Sequence, residues 1–65
     1  MRLKPQSFNA ALEGAKELST KDGVAYVLDD IDITNPSRCY VVTSEHPSKG
    51  HMIVVHRYKN GYREF

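Results

Sequence analysis

With one cysteine, Cys39, among 65 residues, the chain has no internal disulfide framework and suits a reducing compartment better than an oxidising one. Nor is there an apolar run near the ~18 residues that span a bilayer, and the opening "MRLKPQSFNAALEG" lacks the apolar centre of a signal peptide. The expectation is a cytoplasmic chain with no membrane partner. Excess charge is missing as well: nine Lys and Arg stand against eight Asp and Glu, whereas a protein that neutralises several phosphates usually carries a clear basic surplus. Gly14, Gly23, Gly50 and Gly61 stand singly, so no glycine loop is present to cradle a phosphate, and nucleotide-enzyme chemistry drops out.

Length is also scarce. A chain this short buries only about 60% of the surface its unfolded form exposes, which allows one domain, residues 1–65, of marginal stability. Small domains lean on disulfides, a metal or oligomerisation, and the first is excluded here.

What is present begins with "SFNAALEGAKELSTKDG". Phe8, Ala11, Leu12, Ala15 and Leu18 recur at the three-and-four spacing of one helical face, with Asn9, Glu13, Lys16 and Glu17 opposite. Ser7 is the expected N-cap and Gly23 the positive-φ stop. From Val24 the period becomes two, and β-branched and aromatic residues dominate residues 24–28, 38–44, 51–59 and 62–65. Pro36 and Pro47 mark turns between these segments. The reading is an α+β fold: one N-terminal amphipathic helix packed on a three- to four-stranded antiparallel β-meander, in the order α-β-β-β-β.

Asn60-Gly61 is a strong hairpin signal, because a type I′ turn needs positive φ at both central residues. It pairs Lys59 with Tyr62, Tyr58 with Arg63, Arg57 with Glu64 and His56 with Phe65. Strict alternation then puts Met52, Val54, His56, Tyr58, Arg63 and Phe65 on one face and Ile53, Val55, Arg57, Lys59, Tyr62 and Glu64 on the other. If "EHPSKG" closes a second hairpin with Ser44 near His51, Cys39, Val41 and Thr43 join the first face, while Tyr40 and Val42 join the second. The first face, which also takes Val24, Tyr26 and Leu28, is the expected seat of the helix. Tyr40, Val42, Ile53 and Val55 would then form an uncovered apolar cluster, the mark of an interaction surface. His56, Arg57, Tyr58, Lys59, Tyr62 and Arg63 interleave basic and aromatic groups, which can pair phosphates and stack bases on an open sheet.

Other constellations carry less. Asp30-x-Asp32-x-Thr34 opens as a calcium loop does, but Asn35 and Val41 stand where Gly and a bidentate Glu are needed. His46, His51 and His56 recur every five residues, which on a strand alternates faces, and His46 precedes Pro47. Neither series leads to a metal, and no cofactor is expected. Cys39 near a histidine lacks the pocket and oxyanion hole that nucleophilic catalysis needs, so no catalytic residue is assigned and the chain is not read as an enzyme. The expected function is that of a small non-catalytic interaction or regulatory protein, of the size of the inhibitors that phages and mobile elements encode. It would act as a homodimer or higher closed oligomer, or bind a partner protein, through Tyr40, Val42, Ile53 and Val55. The alternative is a nucleic-acid or nucleotide-binding module built on the C-terminal hairpin.

Overall fold

The structure, a computed structural model, describes residues 4–48 and 50–65. Helix α1, Phe8–Asp22, is followed by β1 (Val24–Asp30), β2 (Tyr40–Thr43), β3 (Met52–Lys59) and β4 (Tyr62–Arg63). Both helix ends are satisfied as their residues suggest. Ser7 Oγ accepts from the Ala10 amide at 3.3 Å, and Gly23, at φ +91°, lets its own amide reach the Ser19 carbonyl. No helix among the described residues is long and apolar enough to cross a membrane.

The α+β class and the single helix on a four-stranded antiparallel sheet are as expected, but the strand order is β2-β1-β3-β4 rather than that of a simple meander. β1 is central and antiparallel to both β2 and β3, so these two run parallel to each other with β1 between them. The Ser44–His51 hairpin therefore does not form. The connection from β2 to β3 instead passes back across one face of the sheet, where the His46 ring meets Tyr26 edge-on at 5.4 Å. Pro47 is as compatible with a crossover as with a tight turn.

The β4 hairpin follows its turn chemistry. Asn60 and Gly61 take φ values of 51° and 89°, and Tyr58 pairs with Arg63 and Lys59 with Tyr62. Beyond that the ladder bends: Arg57 accepts from the Glu64 amide but donates to the Phe65 carbonyl, at 2.8 and 3.3 Å.

A β-bulge in β3 determines which face each side chain takes. Leu28 pairs with Val54 and Val27 with His56, leaving Val55 as the extra residue. An added residue reverses the alternation beyond it. Met52 and Val54 stay on the face of Leu28 and Asp30, while Val55, His56 and Tyr58 lie on the face of Ala25 and Val27. The expected seat of the helix is thus corrected on two counts: α1 covers the other face, and β3 contributes to each face in turn.

Under α1 the core is Ala11, Ala15, Ala25, Val27 and Tyr58, with Leu12, Leu18, Tyr40, Val42 and Val55 packed around it. The helix presents its smallest residues at the centre, Ala11, Ala15 and Ser19 all being fully buried, so its backbone lies close to the sheet and the leucines fill the flanks. Ser19 ties the helix to the last turn. Its hydroxyl donates to the Lys16 carbonyl at 3.0 Å and accepts from the Gly61 amide at 2.9 Å, which satisfies a hydroxyl that would be costly to bury alone.

Candidate functional site

Tyr40, Val42, Ile53 and Val55 share one face, through the pairing of β2 and β3 with β1 and not through the expected Ser44–His51 hairpin, and that face is the one beneath α1. Phe8 caps Tyr40 with ring centroids 5.1 Å apart, Val42 lies under Gly14, and Val55 packs on the core. Ile53 is the one member left mostly exposed. The cluster is not an uncovered patch, because the bulge and the strand order exchange the roles of the two faces.

The six residues of the basic-aromatic ribbon are likewise divided. Tyr58 is buried in the core. His56 faces Phe8, with centroids at 5.5 Å, and its Nδ1 lies 2.9 Å from the Phe65 carbonyl; a carbonyl only accepts, so Nδ1 carries the hydrogen. Arg63, paired with Tyr58, belongs to the helix side. Arg57, Lys59 and Tyr62 remain together on the opposite face.

That helix-free face has two halves. Over the β2 half lies the crossover: Leu28 and Val41 are buried to 1% and 2% exposure although no helix among the described residues covers them. Glu45, His46, Pro47 and Ser48 of the crossover, with Leu28, Thr43 and Met52 of the sheet, line a shallow cleft of about 240 Å³. The half over β3 and β4 is open. Val24, Tyr26, Val54 and Arg57 are only half-buried there, Lys59 is exposed, and Tyr62 is 80% exposed.

Polar contacts organise this open half. The Arg57 guanidinium lies over the Tyr26 ring at 5.8 Å from its centroid, a cation–π distance. Its Nε is 3.2 Å from Glu64 Oε1, at an angle that leaves this buried N–H without a hydrogen bond. His46, Tyr26, Arg57 and Glu64 thus form a continuous row from the crossover to the last strand. The row holds Arg57 flat against the sheet instead of extended into solvent, and it mixes charges of both signs at the edge of Val24 and Val54.

Cys39 and His56 are not brought together, since β1 separates their strands. Partial burial pushes the Cys39 thiol above its ordinary range, and the nearby Asp29 carboxylate raises it further by charge and by hydrogen bonding. A thiol held protonated is a poor nucleophile. Backbone pairing at the far end of β1, where Asp30 meets Met52, gathers residues that spacing alone keeps apart: Asp30, Asp32 and His51. The acidic run and the histidine series each lack a ligand set, and only the antiparallel pairing of β1 with β3 makes one signal of the two. Compared with protein-family models, curated proteins and solved structures, the chain matches none of them.

Proposed function

We propose that the protein is a small non-catalytic interaction module that self-associates through the open half of its helix-free sheet face. One observation carries the reading: α1 covers one face and the crossover half of the other, which leaves Val24, Tyr26, Val54 and Tyr62 half-buried or exposed on a flat surface. An antiparallel sheet that wets one face normally alternates to polar residues there, and this half keeps aromatic and β-branched groups instead.

The rim suits a second copy of the same chain. Arg57 pairs with Glu64 and Lys59 lies on the face of Arg57, so a two-fold arrangement can bring opposite charges together around the apolar centre. Association would also relieve the shortage of buried surface that a 65-residue domain has.

Sedimentation equilibrium over a range of protein concentrations tests this. The expected result is a mass that rises to an integral multiple of the chain and changes little with salt. A mass that stays at one chain, together with retention on polyanions at low salt that Arg57→Gln and Lys59→Gln abolish, would replace this reading with the nucleic-acid one.

A further inference from the structure

We propose that Asp30, Asp32 and His51 hold a divalent transition-metal ion. This inference is independent of the self-association reading, because it concerns the opposite end of the sheet. Three chain segments converge there. Asp30 is the last residue of β1, Asp32 lies in the turn that follows, and His51 immediately precedes β3. The backbone fixes their spacing: Asp30 pairs with Met52, the Ile31 amide donates to the His51 carbonyl at 3.1 Å, and the Asp32 amide donates to Asp30 Oδ1 at 3.0 Å.

One ligand atom from each side chain lies within 4.8 Å of the other two. The imidazole sits between the carboxylates, Nε2 at 3.7 Å from Asp30 Oδ1 and Nδ1 at 3.7 Å from Asp32 Oδ2. These separations are too long for hydrogen bonds. They run to different ring nitrogens, of which an ion takes one, so small turns of the His51 and Asp32 side chains within this 4.8 Å grouping bring one nitrogen and two carboxylate oxygens to the roughly 3–4 Å that separates ligand atoms each about 2.1 Å from a shared ion. Asp30 is 9% exposed and its Oδ1 accepts from the Asp32 amide; a carboxylate so far out of water is stabilised further by nearby positive charge. A divalent ion supplies more of it than one imidazole does.

The donor set names the class of ion. Two carboxylates and one imidazole suit zinc, manganese or cobalt, whereas calcium and magnesium prefer oxygen alone. Asp32 and His51 remain partly open to solvent, so water can complete the coordination.

The test is calorimetric titration of the whole, chelator-treated chain with Zn²⁺, beside the visible absorption of Co²⁺ added to the same protein. One ion per chain is expected, with His51→Ala and Asp32→Asn each weakening binding by at least about tenfold. His46→Ala and Ca²⁺ serve as controls, the first leaving zinc binding unchanged and the second showing no saturation. Circular dichroism confirms that each variant is folded, and Asp32, being exposed, can be changed without disturbing the core. Absence of saturable zinc binding, or binding that survives both His51→Ala and Asp32→Asn, overturns the proposal.

Discussion

The two faces of the sheet are closed by different means. Beneath α1, small residues at the helix centre bring two regular elements into close contact, and Ala11, Ala15, Ala25 and Val27 are all fully buried. On the other face an irregular crossover seals Leu28 and Val41, reaches Tyr26 and Met52 at its margin and leaves the β4 side open. A helix covers a whole strip of sheet because its side chains repeat along a face. A short connection covers what lies under its path, and the remainder stays available to another chain.

The largest expected effect separates the sealed and open halves of the helix-free face. Leu28→Ala should lower stability by about 2–5 kcal/mol, as for other buried leucines, whereas Val54→Ala should cost well under half as much. Equal losses in thermal melts of dilute protein would mean that the open half is covered within the single chain.

Next in size is Gly61→Ala, expected to cost more than about 1 kcal/mol. Gly61 has φ +89°, and an added Cβ would lie 2.7 Å from Thr20 Oγ1. Adding Thr20→Ala should restore part of the loss, the part due to the clash, and leave the backbone strain. A fully neutral Gly61→Ala would show that the hairpin turn does not press on the helix at Thr20.

Gly14 runs the other way. A Cβ there would meet Gln6 and Val42 at 3.8 and 3.9 Å, ordinary contact distances, so Gly14→Ala should stabilise by roughly 0.5–1 kcal/mol through helix propensity. Destabilisation in the same melts would show that the helix lies tighter on the sheet than these distances allow. The smallest effect belongs to the open half: Glu64→Gln should cost less than about 1 kcal/mol, because both partners of the Arg57–Glu64 pair are more than a third exposed. That cost should shrink further as salt is added.

Much of the architecture is legible in the residues. The helix and both its ends and the turn at Asn60-Gly61 follow from periodicity and backbone preference, which are local, whereas Tyr40, Val42, Ile53 and Val55 share a face because β2 and β3 each pair with β1 and not through a Ser44–His51 hairpin. Two features are not local. The bulge at Val55 hides within the apolar run "MIVV", where an inserted residue leaves no mark because every side chain present can be buried. The crossover after Thr43 reads as a hairpin loop, since Pro47 suits either path and only the preference of β1 for both neighbours decides between them. Together these two features reassign the surfaces. The cluster expected to be open is under the helix, and the face expected to carry the helix is the one left partly bare. The grouping of Asp30 and Asp32 with His51 was illegible for the same reason, because it depends on which strand pairs with β1.

Adjacent residues of β3 distinguish the two faces, since Ile53 pairs with Asp29 and Val54 with Leu28 and the two point to opposite sides of the sheet. Sedimentation equilibrium at high micromolar concentration should give an oligomer for the unmodified chain and for Ile53→Lys, and a single-chain mass for Val54→Lys with its circular dichroism unchanged. A single-chain mass for the unmodified protein, or an oligomer that Ile53→Lys disrupts and Val54→Lys does not, would contradict the assignment of the helix-free face as the surface of association.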